Sequence, residues 1–160
     1  MTRKTDTRRL YFAYGSNLNI DQMLQRCPTA TPVRTLFLRN WRLVFRQVAD
    51  IEPADGHMVA GALYWCEQRD VAALDRYEGV KHDLYRQVRF RITKTGEEAF
   101  FYRMNDNYVA MPSVSYYRTI EEGFSDWGLP HQRLQDALLT AASEDGHAPD
   151  LSAYRLRQAA

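Results

Sequence analysis

Leu10-Tyr11-Phe12-Ala13-Tyr14-Gly15-Ser16-Asn17-Leu18 is the stretch on which the reading of the chain turns. Its first five residues are strand formers, and Gly15-Ser16-Asn17 are turn residues that stop the strand. A strand thus runs into a tight loop. Asp21 can cap a short helix through about Arg26, which Pro28 and Pro32 end. A strand-turn-helix junction of this kind leaves several backbone N–H groups without intrahelical partners, and such groups can hold an anion. Gly15 permits close backbone approach, while the Ser16 and Asn17 side chains can add hydrogen bonds to a carboxylate or a developing oxyanion. The pattern alone fits either an anion cradle or a capped turn that binds nothing.

Working outward, residues 1–9 are polar and without periodicity and read as a flexible tail. Thr35 to Leu38 and Arg42 to Val48 read as two strands, Ile51 to His57 as a loop, and Val59 to Cys66 as a strand buried on both faces. Between Glu67 and Tyr77, Val71, Leu74 and Tyr77 recur at helical spacing, and Glu78-Gly79 closes that helix. Tyr85 to Thr93 and Glu97 to Met104 form a hairpin across Thr95-Gly96. Val114 to Phe124 carries Tyr117, Ile120 and Phe124 on one helical stripe, and Gly128-Leu129-Pro130 separates it from a second helix over His131 to Ala142. The chain therefore reads as α+β: about six strands in a small mixed, largely antiparallel barrel or roll, with inserted helices and C-terminal helices. One domain is expected over residues 10–142, with residues 143–160 a polar, Ala-rich extension.

The 160 residues are 45% hydrophobic and 26% charged, with a formal net charge of +1. That is the composition of one soluble globular domain, long enough to hold a core without metal or disulfide. No apolar run approaches the roughly 18 residues of a membrane span, and the first nine residues lack the apolar centre of a secretory signal. With Cys27 and Cys66 as the only cysteines, a reducing, cytoplasmic setting is expected. The 18 arginines are scattered, and Arg86, Arg89 and Arg91 fall on both faces of one strand, so nucleic-acid binding is not expected. His57, His82, His131 and His147 are isolated and there is no CxxC pair, so no metal is expected. Ser16 lacks the glycine two places on that a nucleophile elbow requires.

Glu78 is the second unusual feature. A carboxylate at a helix C-terminus faces the negative pole of the macrodipole, at a cost of about 0.3–1 kcal/mol. The same repulsion, with partial burial beside Tyr77 and Val80, would raise its pKa toward the range of a general base. Read alone, Glu78 fits that role or a solvated surface carboxylate. Glu97-Glu98 and Glu121-Glu122 read as exposed faces.

Tyr11 to Leu18, Leu74-Asp75 followed by Glu78-Gly79-Val80, and Tyr85 seven positions past Glu78 together resemble the signature of the γ-glutamylcyclotransferase family. Phe101-Tyr102-Arg103-Met104 resembles the family's later strand, and Pro112 to Pro130 its helical C-terminal segment, so the resemblance spans roughly residues 10–139. The stretch between Val48 and Val59 is shorter than in the animal glutathione-cycle enzymes, which leaves substrate identity open. The resemblance implies a cavity with the loop on one side and the glutamate on the other. It implies release of 5-oxoproline from a γ-glutamyl peptide or amide, with Glu78 as acid/base group and no cofactor. It also implies that Tyr14, Gly15, Ser16, Asn17, Leu18 and Tyr102 bind substrate, and that Tyr85 has a supporting role. The implied partner is a small γ-glutamyl molecule, and a homodimer is compatible with it. Alternatives are a γ-glutamyl-amine, an intermediate borne on a carrier protein, or a binding module without turnover.

Overall fold

The apolar run at the start of the chain becomes the middle strand of the sheet. A computed structural model describes residues 6–146 and 150–157; residues 1–5 of the expected tail, and His147, lie outside these described residues. In chain order the elements are β1 (Arg9–Ala13), α1 (Ile20–Arg26), β2 (Thr31–Arg46), β3 (Val48–Cys66), α2 (Gln68–Tyr77), β4 (Tyr85–Arg91), β5 (Glu98–Met104), α3 (Val114–Trp127) and α4 (His131–Asp145). The strands hydrogen-bond in the order β2-β3-β1-β5-β4. β1 runs antiparallel to β3 and parallel to β5, and the remaining pairs are antiparallel. Leu10, Phe12 and Ala13 are fully buried because β1 has a neighbour on each edge. The end strands β2 and β4 are not paired with each other, so the α+β roll is open.

The sheet has five strands among the described residues, one fewer than the sequence reading expects. The two strands expected around residues 35–48 are one, β2, which passes the break at Asn40 as a bulge with positive φ. The expected loop from Ile51 to His57 is also strand. Leu43, Arg42 and Trp41 pair with Ile51, Glu52 and Pro53, and the hairpin turns earlier, at Gln47, whose φ is 64°. From Glu52 the residues of that stretch, which read as loop, alternate between half-buried and exposed as far as Asp55 and then lie on the exposed outer part of the hairpin. Pro32 does not end a helix; it sits at the start of the end strand β2, where a missing N–H leaves no ladder bond broken. The cap of α1 is Asn19, whose side chain accepts from the Gln22 amide at 3.2 Å, in place of the expected Asp21.

Two local devices position the site. The first is the end of α2: Glu78 caps it, and Gly79 follows in the left-handed conformation with φ 65°. A glycine there turns the chain without strain and releases the Glu78 side chain from the helix. The second is α3, which buries Tyr117, Ile120 and Phe124 as the stripe expects. Burial of Ile120 and of Phe124 is worth roughly 1.5–3 kcal/mol each. At Gly123 this helix approaches the loop after β1 so closely that a Cβ would lie 2.6 Å from the Asn19 amide nitrogen. Trp127 Nε1 donates to the Leu18 carbonyl at 2.9 Å, and Asp126 accepts from the Ile20 amide at 3.0 Å. The loop is thereby clamped by side chains more than a hundred residues away. Part of the C-terminal extension also packs on the domain: Tyr154 is buried edge-on against Tyr117 and donates to the Pro112 carbonyl.

Candidate active site

The loop after β1, the start of β3 and the end of α2 enclose a cavity of about 220 Å³. Tyr14, Gly15, Ser16 and Asn17 line it from the loop, Glu78 from the end of α2, Tyr85 from β4 and Tyr102 from β5. Seven of the eight residues singled out in the sequence thus meet in one place. Leu18 does not line it. Its amide donates to the Gly15 carbonyl at 3.0 Å and its side chain is fully buried, so it anchors the turn and offers no donor to a ligand. Residues 16–18 form a single 3-10 turn. Among the described residues the amides of Gly15, Ser16 and Asn17 have no protein acceptor. These three are the donors left for an anion.

Glu78 is the electrostatic centre. Burial raises its carboxyl to about 7 from an ordinary 4.5, the Arg26 guanidinium pulls it down, and the Asp50 carboxylate pushes it up. Asp50 is itself fully buried. Its Oδ2 accepts from Arg46 Nε at 2.8 Å and its Oδ1 from the Met104 amide at 3.0 Å, while burial holds its carboxyl above the usual range. A carboxyl poised near neutrality can take up a proton and give it back at physiological pH.

The rest of the wall is aromatic. Burial raises the hydroxyls of Tyr11, Tyr14, Tyr85, Tyr102 and Tyr116, so all five stay neutral. Tyr102 donates to Asp75 Oδ1 at 2.6 Å, and Gln87 donates to the same oxygen at 2.7 Å. The hydroxyl of Tyr14 donates to the Tyr102 carbonyl, and that of Tyr85 to the Ala49 carbonyl at 3.4 Å. Tyr116 accepts from the Ala49 amide at 2.9 Å and stands 3.5 Å from where a Gly15 Cβ would be. Tyr11, Tyr77, Val48, Ala49 and Tyr116 line the cavity without having been singled out. Tyr11 lay inside the decisive block, two residues before the cavity edge of its strand and on the same face as Ala13. Tyr116 had no distinguishing signal among the ten tyrosines.

Larger grooves of about 310 and 630 Å³ lie beside α4 and between β2 and the β4–β5 turn. Neither is lined by Glu78 or by the loop after β1. Among the described residues no group of three or more His, Cys, Asp or Glu side chains is arranged to hold a metal ion, and no helix is long and apolar enough to cross a membrane.

Comparison with known proteins points the same way. A family model described as gamma-glutamyl cyclotransferase, AIG2-like, matches residues 11–126. The gamma-glutamylcyclotransferase of Mus musculus is 30% identical over 138 residues, covering 77% of this chain and 73% of its own. That of Homo sapiens is 30% identical over 136 residues, covering 76% and 72%. A solved structure named gamma-glutamyl cyclotransferase superposes with a TM-score of 0.72 at 26% identity, over 81% of this chain and 86% of its own.

Proposed function

The chain belongs to the AIG2-like γ-glutamyl cyclotransferase family and is a γ-glutamylcyclotransferase-like enzyme, and we propose that Glu78 carries the protons of its reaction. A γ-glutamyl compound is converted to 5-oxoproline and a free amine when the substrate's α-amine attacks its own γ-carbonyl. Nucleophile and electrophile share one molecule. Well-oriented intramolecular attack reaches effective molarities of about 10⁵–10⁸ M, so the protein has chiefly to fold the substrate and move protons.

The α-ammonium is inert until it loses a proton, and the departing amine leaves poorly until it gains one. The Glu78 carboxylate takes one proton from the α-ammonium, which frees the amine to attack, and passes it to the leaving nitrogen. As the tetrahedral intermediate collapses, the ring nitrogen gives up its second proton through the same carboxylate to the departing amine, so that the lactam keeps one N–H, the amine leaves protonated and Glu78 ends the cycle ionised. The amides of Gly15, Ser16 and Asn17 receive the negative charge of the substrate, either its α-carboxylate or the oxyanion. Tyr102 and Tyr85 shape the wall, with Tyr102 held by Asp75. The observation that carries the reading is the location of Glu78: a carboxyl raised to about 7, in the same small cavity as three backbone amides without protein acceptors.

The substrate class under this reading is a γ-glutamyl peptide or amide of the kind met in glutathione metabolism. A cytoplasmic setting belongs to the same reading, supported by two buried free thiols, Cys27 and Cys66. The test is incubation with a panel of γ-glutamyl dipeptides and γ-glutamyl-amines, following 5-oxoproline by mass spectrometry. At least one substrate should yield 5-oxoproline with the wild type and none with Glu78→Gln. Release of 5-oxoproline by the variant at near wild-type rate refutes the assignment.

A further inference from the structure

Arg26, the last residue of α1, lies outside the cavity lining, yet two lining side chains are held by it. Its Nη1 donates to Asn17 Oδ1, and its guanidinium carbon lies 3.4 Å from the centroid of the Tyr77 ring. The nitrogen of the same Asn17 carboxamide donates to the Tyr11 hydroxyl at 3.1 Å. The Asn17 side chain is therefore committed at both ends within the protein. It acts as a strut between Arg26 and Tyr11, and what remains for a ligand is the Asn17 backbone amide and the second hydrogen of Nδ2. Tyr77 is about half exposed, so its ring keeps its place through the stacked guanidinium more than through burial.

We propose that Arg26 is a positioning residue of this active site: it braces the Asn17 and Tyr77 walls against each other and, stacked on the residue that precedes Glu78, sets a positive charge at the edge of the cavity that Glu78 lines. The inference rests on the proton-carrying role proposed for Glu78.

The groups facing Glu78 can be named element by element. Tyr11 and Tyr14 come from β1 and the loop, Asp50 from β3, Tyr85 from β4 and Tyr116 from α3. The tyrosines are neutral and Asp50 opposes ionisation of Glu78. Among the described residues Arg26 is the cation that acts on Glu78. Lysine at position 26 would keep the charge and lose both the planar stack on Tyr77 and the rigid fork to Asn17. Glutamine would lose the charge as well.

The experiment compares wild type, Arg26→Gln and Arg26→Lys by two readouts. The first is the pH dependence of kcat/KM for 5-oxoproline release. The second is direct titration of the Glu78 carboxyl by ¹³C NMR in glutamate-labelled protein, assigned by the signal that Glu78→Gln removes. With Arg26→Gln, the ionisation of Glu78 should move upward by on the order of one pH unit in both readouts. At pH 7 that leaves roughly a fifth of the wild-type ionised fraction and lowers the rate about fivefold. Arg26→Lys should titrate close to wild type while kcat falls, because the Asn17 strut is loosened. Coincident titrations in all three proteins overturn the proposal, as does a rate loss in Arg26→Gln with no shift of the pH limb, since a merely structural role would produce that. The NMR arm needs no turnover. A protein that released no 5-oxoproline and still showed the shift would sink the proposed function and support the Arg26–Glu78 coupling.

Discussion

Glu78→Gln removes a charge and keeps a shape, and the site predicts opposite effects on activity and stability. In the folded protein the carboxyl titrates at about 7; its ordinary value is 4.5. A folded pKa above the unfolded one means that the folded state holds this proton more tightly. The corresponding stability is fully present below about pH 4.5 and is lost as pH rises through about 7. Above that, the ionised carboxylate costs the fold about 3 kcal/mol, the free-energy equivalent of the distance between the two values. Glutamine has no such dependence. The stability of the variant relative to wild type should therefore climb between pH 5 and pH 7 and level off beyond. The amide hydrogens of glutamine, if left without partners, add a penalty of about 1–3 kcal/mol that does not vary with pH. The slope of the difference is thus the quantity to read. In a domain of this size about 3 kcal/mol corresponds to roughly 6–12 °C in Tm. Urea unfolding of both proteins at pH 5, 6, 7 and 8, with 5-oxoproline release measured on the same preparations, makes the comparison. A stability difference that is flat across this range would show that Glu78 titrates as an ordinary carboxylate, and the argument for a neutral-range base would fail with it.

Three further substitutions probe the surrounding parts. Gly15→Ala places a methyl 3.0 Å from Ala49 Cβ and 3.5 Å from the Tyr116 hydroxyl, so steady-state kinetics should show KM raised severalfold with smaller change in kcat; unaltered kinetics would argue against an anion cradle at the loop. Gly123→Ala drives a methyl to within 2.6–2.7 Å of the Leu18–Asn19 backbone. Displacing α3 or the loop should cost about 1–3 kcal/mol in urea unfolding and reduce turnover, although position 123 lies outside the cavity. Tyr102→Phe deletes one of the two donors to Asp75 Oδ1 and leaves that of Gln87. The expected outcome is about 1 kcal/mol of lost stability with turnover reduced only modestly, and a loss of turnover as deep as that of Glu78→Gln would move Tyr102 into direct proton chemistry.

Elements announced by local signals were legible from the sequence. The strand ending at the Gly-Ser-Asn turn, the helix closed by Glu78-Gly79, the β4–β5 hairpin and the α3 stripe all carry their periodicity and their stop residues within a dozen positions. The β2–β3 hairpin was not. Its turn is a single Gln47 of positive φ, which no glycine marks, and its polar outer half from Glu52 to Met58 carries Pro53 and Gly56, residues that ordinarily end a strand. Only pairing with Arg39 to Leu43 makes that segment a strand, and pairing is not a local property. The site divides in the same way. The loop and Glu78 each broke a local expectation and so stood out. Tyr116 and Arg26 are ordinary residues on ordinary helices, and they acquire their roles from α3 and α1 folding against a loop and a helix end distant in sequence.

Why the fold tolerates an ionised carboxylate that destabilises it follows from the proton it must accept. The α-ammonium of a γ-glutamyl compound stands beside its own carboxylate, which holds its pKa above the roughly 8 of a peptide N-terminus. Handing its proton to a carboxylate titrating near 4.5 would be uphill by more than about 4 kcal/mol. Against a carboxyl at about 7 the same transfer is about 3 kcal/mol less uphill. The difference, about 3 kcal/mol, has the same origin as the stability lost above neutral pH, because burial and Asp50 disfavour the charged form in both. Arg26 sets the limit on the other side. Without it Glu78 would accept a proton still more readily, but would be protonated already at pH 7 and could not begin the cycle. A carboxyl held near neutrality by opposed neighbours is therefore the compromise between basicity and availability, and shifting either neighbour should move the rate optimum along the pH axis before it alters the fold.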